Sequence, residues 1–418
     1  MKRIMVIVES LDINDSSGTK GRISLINNLD KCGFQLLVCH YTQKHVDLNS
    51  INLAHINCIP IPEKKWTLLY FLSRTERIFT RITKLNLNPY LENWFGFSFT
   101  FFNDSNSIAT AVKKQFDFSP DFVITLSKGA SFRPHHALLK LPELHDKWIA
   151  YIHDPFPYHF YPRPYNWIQP GYAQKEFFFN NVSKKAKYSA FPSLLLKDWM
   201  GSYFINFDKT GIVIPHQIKN MNVVSTNLPS YFKSDKFTLL HAGNLMRQRN
   251  PVALIEAYKN FINSNPEAAA ESQLLILGKS SYFEKELKSY QKELENLIVI
   301  NKNIAFDEVL QLQFAVSVNI ILESISEISP FLPGKFPHCI AANKPILLLS
   351  PYYSETKRLL GDNYEFWSEA SDVKKITKHI QIMFQNWKNN SNIKLNRPDL
   401  EYYLDIDNLK IIIQNLSA

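Results

Sequence analysis

Cationic side chains follow a predicted strand in the second half of the chain, where that strand gives way to a helix. In HAGNLMRQRNP (241–251), Gly243 ends an apolar run. Arg247 and Arg249 then precede a helix that has Pro251 in its first turn. Guanidinium groups beside a helix N-terminus favour anions, because free backbone N–H groups and the helix dipole add to the arginine charge. An isolated pair of arginines is more typical of a solvated basic loop.

A second cationic site is predicted in SPFLPGKFPHCIAANKPILLLSP (329–351). Pro333 and Gly334 interrupt the chain, and Lys335 opens a helix. Gly334 permits close approach of an anionic ligand to the backbone, and Lys335 can direct a charge toward it. Taken alone, PGK is a common turn, and His338 is typical of an ordinary helix residue.

The third candidate is in the first half of the chain, in YIHDPFPYHFYP (151–162). His153 and Asp154 come just after a predicted strand. A histidine there can change its charge near pH 7 and can donate a hydrogen bond to a substrate hydroxyl. A purely structural histidine fits the same position.

Strands and helices alternate around these loops in two successive halves. The first half begins with the strand IMVIVES (4–10), a loop containing Ser16, Ser17, Gly18 and Gly21, and a helix. The polar stretch 217–236 reads as a linker, and the alternation restarts with the strand FTLLHAG (237–243). Such alternation predicts two Rossmann-like α/β domains with parallel sheets, which bind ligands at the carboxyl ends of their strands. Two such domains facing each other would form a central cleft.

Length and composition agree with two folded domains and favour anionic partners. The 418 residues exceed the size at which one hydrophobic core stops growing. Lys and Arg number 47 against 38 Asp and Glu, a net charge of +9. The four cysteines form no CxxC pair, and no stretch reaches the ~18 apolar residues of a membrane span. We therefore expect a cytoplasmic protein, and the absence of a recognisable DNA or RNA module argues against nucleic acid as partner.

Together the three loops resemble glycosyltransferase family 4, whose members are retaining, nucleotide-sugar-dependent enzymes of the GT-B fold. HAGNLMRQRNPVALIEAY is similar to that family's strand, Gly, basic residue, Asn/Asp-Pro and helix element. SPFLPGKFPHCIAANKPIL is similar to its Pro-x-Lys, helix and Ala-Gly-Lys-Pro element, and YIHDPFP to its His-Asp element. SSGTKG matches the position of its N-terminal glycine loop, and VIPH (213–216) resembles the sequence before its C-terminal domain.

The resemblance implies roles for individual residues. Arg249 would bind the donor pyrophosphate, with Lys335 and the amides after Gly334 assisting, because fixed cations stabilise the departing diphosphate. His153 would contact the transferred sugar. The implied catalytic residues are His153, Asp154, Arg249 and Lys335, and the implied donor-binding residues are Gly18, Gly243, Asn244, Arg247, Arg249, Gly334, Lys335 and His338. No essential metal and no cofactor other than the nucleotide-sugar co-substrate are expected.

The chain departs from the family's pattern at three positions. Asn244 stands where many members have an arginine, and Pro330 and His338 stand where two glutamates often occur. Transfer of a sugar to a saccharide or lipid-linked saccharide, in cell-surface polysaccharide or glycoconjugate synthesis, is the leading hypothesis. The alternatives are another GT-B enzyme, such as a nucleotide-sugar epimerase, and a non-catalytic saccharide- or nucleotide-binding partner of a transferase.

The expected domains are an N-terminal acceptor-side domain (1–218), a C-terminal donor domain (219–400) and a final helix (401–418) that packs back on the first domain. A basic, aromatic insert (62–105) interrupts the first domain. At ~100° per residue, one helix face there carries apolar side chains, namely Leu68, Phe71, Leu72, Ile78, Phe79, Ile82 and Leu85. A separate stripe is cationic: Arg74, Arg77, Arg81 and Lys84. The face either packs on its own domain or meets an anionic membrane at its inner, cytoplasmic side.

Overall fold

The computed structural model describes residues 1–12, 17–42, 46–157, 165, 168–218 and 228–417. The strands are β1 (Arg3–Val8), β2 (Gln35–Thr42), β3 (Asn57–Pro62), β4 (Phe122–Leu126), β5 (Trp148–Tyr151), β6 (Tyr188–Phe191), β7 (Gly211–Val213), β8 (Phe237–Ala242), β9 (Ser272–Leu277), β10 (Leu297–Ile300), β11 (Val318–Leu322), β12 (Ile328–Ser329), β13 (Ile346–Leu349), β14 (Tyr353–Ser354) and β15 (Trp367–Ser368). The helices are α1 (Ser17–Lys31), α2 (Leu68–Thr83), α3 (Asn88–Phe95), α4 (Phe99–Lys113), α5 (Arg133–Leu138), α6 (Tyr172–Lys185), α7 (Leu194–Tyr203), α8 (Ile205–Thr210), α9 (Val252–Ser264), α10 (Pro266–Glu271), α11 (Glu284–Glu293), α12 (Phe306–Ala315), α13 (Phe336–Ala341), α14 (Glu355–Leu360), α15 (Val373–Asn389), α16 (Pro398–Tyr403) and α17 (Ile406–Asn415).

A seven-stranded sheet with the order β3-β2-β1-β4-β5-β6-β7 forms the first compact unit. Every neighbouring pair is parallel. Apolar layers cover both faces of β1, because Met5 and Ile7 join one buried cluster while Val6 and Val8 join the other. The strand order reverses between β1 and β4, and ligands of doubly wound sheets bind beyond the strand ends at such a reversal.

A six-stranded parallel sheet with the order β10-β9-β8-β11-β13-β15 forms the second unit. Its core combines sheet residues such as Leu239 and Ile320 with Phe261 of α9 and Phe384 of α15. The short strands β12 and β14 pair separately from this sheet. Strand order reverses here between β8 and β11, so the loops that follow these two strands lie at the reversal.

The last helix of the chain belongs to the first unit. This unit takes in the residues from Leu404 onward, whereas Ile218–Tyr403 belong to the second. Leu409 and Ile413 of α17 are buried in the same apolar cluster as residues of α1. Lys2 Nζ donates to the carbonyl oxygen of Ile413 at 3.1 Å. The side chains at the start of the chain therefore hold the end of its final helix.

Helix α1 starts earlier than the sequence pattern predicts. The expected glycine loop included Gly18 and Gly21, but α1 begins at Ser17, so both glycines lie within its first turns. Ser16 lies outside the described residues. Thr19 and Arg22 of the same turns are fully buried, and such tertiary packing outweighs the low helix propensity of glycine. The predicted end is confirmed, because Gly33 with φ +83° follows the helix.

The apolar face of the insert does not pack on its own domain. Phe71, Ile78 and Ile82 of α2 are exposed, whereas Ser73 and Glu76 of the same helix are buried. Of the two sequence interpretations, packing of the apolar face on its own domain is therefore wrong. The polar side of α2 faces its unit instead.

Candidate functional site

Lys335 lies at the strand-order reversal of the second sheet. It immediately precedes α13 and is half-buried. Its ammonium group donates to the Ile320 carbonyl oxygen of β11 at 3.2 Å and to His241 Nδ1 of β8 at 3.2 Å. A Cβ built on Gly243 would lie 3.7 Å from Lys335 Nζ. The lysine therefore joins the ends of the two central strands directly against the Gly243 backbone.

Burial and the positive charge of Arg249 lower the pKa of Lys335 to about 7, against the opposing influence of Cys339 and Glu323. Burial also holds the pKa of His241 well below its usual value, with the charges of Lys335 and Arg249 adding to the effect. His241 is therefore neutral at pH 7, so its Nδ1 can accept the hydrogen bond that the Lys335 ammonium donates.

Glu323 is the buried acid of this site. It follows β11, where its backbone N–H donates to the Leu349 carbonyl oxygen at 2.8 Å. Its carboxylate accepts a hydrogen bond from Ser354 Oγ at 3.1 Å. Burial raises the pKa of Glu323, and nearby hydroxyl groups and the charge of Arg249 oppose that rise. Glu323, Arg249 and Lys335 therefore interact electrostatically at the strand-order reversal of the second sheet.

Two crossing loops fix the position of Asn244. Its side-chain oxygen accepts from the Lys279 backbone N–H at 3.0 Å, and the Leu245 N–H donates to the Lys279 carbonyl oxygen at 2.8 Å. Asn244 thus connects the loop after β8 to the loop after β9. This contact gives a structural reason for Asn244 at a position where the family that the sequence resembles often has arginine.

Of the two arginines of that loop, Arg247 is exposed and Arg249 is half-buried. The Arg249 N–H donates to the Met246 carbonyl oxygen at 2.8 Å, which closes a tight turn. The charge of Arg249 acts on His241, Glu323 and Lys335. The structure therefore groups Arg249 with Lys335.

Gly278 and Gly334 offer a matched pair of substitutions. A Cβ at Gly278 (φ +128°) would lie 2.5 Å from the Gly243 carbonyl oxygen, whereas one at Gly334 meets no atom within 4 Å. We expect Gly278→Ala to force the crossing loops apart and to lower the thermal melting temperature. Gly334→Ala should leave that temperature unchanged. Equal melting temperatures for the two variants would contradict the close crossing.

The other predicted donor-side residues lie on or beside α13. Gly334 is exposed, and His338 is half-buried with its ring 5.1 Å from that of Phe306. The backbone of Gly334 is therefore accessible, so a ligand can approach it closely.

In the first unit, Arg22 occupies the corresponding reversal between β1 and β4. This α1 side chain is 2% exposed. It donates to the Ser127 carbonyl oxygen at 3.0 Å and to Thr19 Oγ1 at 2.7 Å. Ser127 directly follows β4, so these bonds hold the guanidinium at the carboxyl end of the sheet.

His153 and Asp154 follow β5 at the same end of the sheet. Burial lowers the pKa of His153 well below its usual value, with the charges of Arg22 and His216 adding to the effect. His153 Nε2 is buried and has no hydrogen-bond partner among the described residues. Burial raises the pKa of Asp154 to about 6, against the opposing charge of Arg22. A neutral imidazole with an unused nitrogen can bind a hydroxyl group.

The structure brings the predicted residues together in two groups, one in each unit. Gly243, Asn244, Arg249 and Lys335 lie at the reversal of the second sheet, while His153 and Asp154 follow β5 at the carboxyl end of the first sheet. Gly18, in the first turn of α1, is exposed. Sequence reasoning missed His241, Glu323, Gly278 and Arg22. Glu323 alone carried a usable signal, because it is the polar last residue of the predicted strand VNIILE (318–323).

Solved structures share this architecture over the whole chain. HepE from Anabaena, in complex with UDP and glucose, aligns with a TM-score of 0.62 at 12% identity, covering 99% of this chain and 98% of that one. The chain has the GT-B fold. A glycosyltransferase from Rickettsia africae aligns with a TM-score of 0.58 at 14% identity, covering 100% and 94%. A UDP-forming α,α-trehalose-phosphate synthase from Burkholderia xenovorans gives 0.62 at 10% identity, covering 100% of both chains.

Comparison of the sequence itself finds no further relative. No protein-family model matches the chain, and no curated protein matches its sequence. Across the described ranges, no cluster of three or more His, Cys, Asp or Glu side chains is arranged to hold a metal ion. Over the same ranges, no helix has the length and apolar character needed to cross a membrane.

Proposed function

We propose that this GT-B protein is a glycosyltransferase of the retaining, family 4 type. It would transfer a sugar, such as a hexose, from a nucleoside-diphosphate sugar to a saccharide or lipid-linked saccharide. The observation that carries the proposal is the cationic group at the second reversal, where the Lys335 ammonium lies against the Gly243 backbone within the influence of Arg249. The structural relative in complex with UDP and glucose supports a nucleotide-sugar donor.

The donor chemistry follows from these charges. As the bond between the sugar and the diphosphate breaks, the departing oxygen gains negative charge, which Arg249 and protonated Lys335 would stabilise. The Lys335 N–H, directly after Gly334, would add a donor, because the Phe336 N–H already donates to the Pro333 carbonyl oxygen. Asn244, Arg247 and His338 would complete the donor site. We propose that these groups act without an essential metal, so that EDTA leaves transfer unchanged.

The acceptor-side roles fall to the first unit. The unpartnered Nε2 of His153 is placed to bind a hydroxyl of the transferred sugar. Asp154, with a pKa of about 6, is mostly ionised at pH 7 and can orient a second hydroxyl. Gly18 would let the backbone approach donor or acceptor. The same proposal places the protein in the cytoplasm, in polysaccharide or glycoconjugate synthesis.

A thermal-shift screen of nucleotides and nucleotide-sugars tests the donor site. A ligand at a hundred times its Kd stabilises the folded state by ~2.7 kcal/mol, so a specific donor should raise the melting temperature. Product analysis with and without a saccharide acceptor then separates transfer from epimerisation. A screen in which no nucleoside diphosphate raises the melting temperature would reject the proposal.

A non-catalytic binding protein is the second candidate. It is favoured by Asn244, whose side-chain oxygen already accepts from the Lys279 N–H, and by Pro330 and His338 in place of acidic residues. Nucleotide binding without turnover of any donor would support this candidate over the transferase.

Binding of a nucleoside diphosphate should weaken as the pH rises from 7.5 to 9. Lys335, with a pKa of about 7 in the free protein, is then largely neutral, and it must take up a proton to meet the anion. Linkage allows a loss of up to about tenfold in affinity per pH unit. The terminal phosphate of the ligand, whose last pKa is near 6, is already ionised over this pH range and does not account for the loss.

Isothermal titration calorimetry at each pH measures this dependence. Lys335→Arg should flatten it, because arginine stays charged throughout the range. An equally steep loss of affinity in that variant would assign the titration to another group.

A further inference from the structure

Helix α2 turns its apolar side to solvent. Leu68 and Ile82 are each 75% exposed, and Phe71 and Ile78 lie on the same side. A surface helix of a globular protein ordinarily buries that side. The exposed side chains of α2 therefore leave a large apolar area without cover from this chain.

Polar contacts hold the other side of α2. Thr67, the N-cap, donates from Oγ1 to Asn103 Oδ1 at 2.7 Å, and Arg77 donates to Thr100 Oγ1 at 3.1 Å. Both partners belong to α4. Because α2 is held by its polar side, its apolar side is presented outward in a fixed orientation.

Exposed apolar side chains are concentrated in this segment. Of the twenty-two large apolar side chains that are exposed among the described residues, eleven fall between residues 66 and 95. They form what is here termed the insert surface: Trp66, Leu68, Phe71, Leu72, Ile78, Phe79, Ile82, Leu85, Tyr90, Trp94 and Phe95. So many exposed apolar side chains in one segment mark a candidate interaction site.

The exposed charges along α2 and its C-cap are all positive. Arg77, Arg81 and Lys84 are exposed, whereas Glu76, the only acid of the helix, is buried. A second copy of this chain on the same surface would bring like charges together, at a cost in free energy. The charges therefore favour an anionic occupant.

We propose that the insert surface inserts into the interfacial layer of an anionic lipid bilayer. Apolar side chains of α2 would enter the acyl boundary, and the flanking Arg81 and Lys84 would meet the phosphate groups. Trp66 and Trp94, which are 84% and 75% exposed, suit the headgroup region that tryptophan prefers. This surface requires no nucleotide or saccharide, so the inference goes beyond the proposed transferase activity and does not depend on it.

Co-sedimentation of the full chain with lipid vesicles tests the proposal, with no nucleotide present. We expect binding to vesicles of phosphatidylcholine with phosphatidylglycerol, and weaker binding to phosphatidylcholine alone. Raising the salt to 1 M should reduce the difference between the two, because salt screens the cations.

Matched variants locate the contact. Ile82→Gln should weaken binding by ~10- to 100-fold, because full burial of an isoleucine side chain contributes roughly that factor to partitioning. Ile205→Gln alters an isoleucine that is 60% exposed on α8, outside the insert surface, and should leave binding unchanged. Arg81→Gln with Lys84→Gln should remove the preference for anionic vesicles and retain the weak neutral binding.

Three results would overturn the proposal. The first is a wild-type chain that stays in the supernatant with anionic vesicles at low salt. The second is equal loss of binding in Ile82→Gln and Ile205→Gln. The third is a stable dimer in sedimentation velocity that Ile82→Gln dissociates, because the surface would then belong to a second copy.

Discussion

Arg249→Ala and Lys335→Ala are each expected to lower nucleotide-sugar binding by about 10- to 100-fold, because a hydrogen bond to a charged group contributes ~1.5–3 kcal/mol. Turnover should fall further, by about 10²–10³, since these cations act most strongly on the charge that develops on the leaving diphosphate. Calorimetry with a nucleoside diphosphate measures the first effect, and a transfer assay at saturating donor measures the second.

Lys335→Met separates a binding role from a structural one. Burial lowers the pKa of Lys335, so its charged form is disfavoured in the ligand-free fold. The methionine variant should therefore keep or raise the melting temperature while losing ligand. Lys285→Ala, an exposed lysine on α11, serves as the control that retains full activity. Full activity in the Arg249→Ala/Lys335→Ala double variant would refute the assignment.

Arg133→Met is expected to destabilise the first unit by about 3–5 kcal/mol, the cost of leaving buried charges without a partner. Arg133 contacts the Glu9 carboxylate at 2.8 Å and that of Asp104 at 2.9 Å. Both carboxylates are buried, and Tyr41 also donates to Asp104 at 2.6 Å. Loss of the guanidinium therefore leaves two buried acids without their shared cation.

Thermal and urea unfolding measure this loss. Restoring neutrality with Glu9→Gln and Asp104→Asn in the Arg133→Met background should recover most of the stability. The reason is that burial already raises the pKa of Asp104 despite the opposing charge of Arg133. A change below ~1 kcal/mol in Arg133→Met, as for an exposed ion pair, would show that the network contributes little.

Strand-end loops were the part of the site that sequence could predict. Gly243, Arg249 and Lys335 were predicted because apolar runs and helix starts mark such loops in any doubly wound sheet. His241 and Arg22 looked like ordinary strand and helix residues. Their importance arises only when a neighbouring strand or loop supplies the partner, Lys335 for the first and the Ser127 carbonyl oxygen for the second.

The insert shows a second limit of prediction from sequence, namely which side of an amphipathic helix packs on the protein. Periodicity grouped Phe71, Ile78 and Ile82 on one face, and the structure confirms that they share a side. Periodicity does not show which side meets the protein, since amphipathic patterns inform about the helix alone. Here hydrogen bonds from Thr67 and Arg77 to α4 decide the direction.

Helix α17 sets an order of events during synthesis. Leu409 and Ile413 complete an apolar layer that also contains Ile26 and Leu29, which are made nearly four hundred residues earlier. The ribosome must synthesise the whole second unit before α17 can cover this layer. The apolar side chains of the first unit therefore stay exposed, and available to chaperones, until translation is nearly complete. A chain cut after Tyr403 should fold its second unit and leave the first one prone to aggregate.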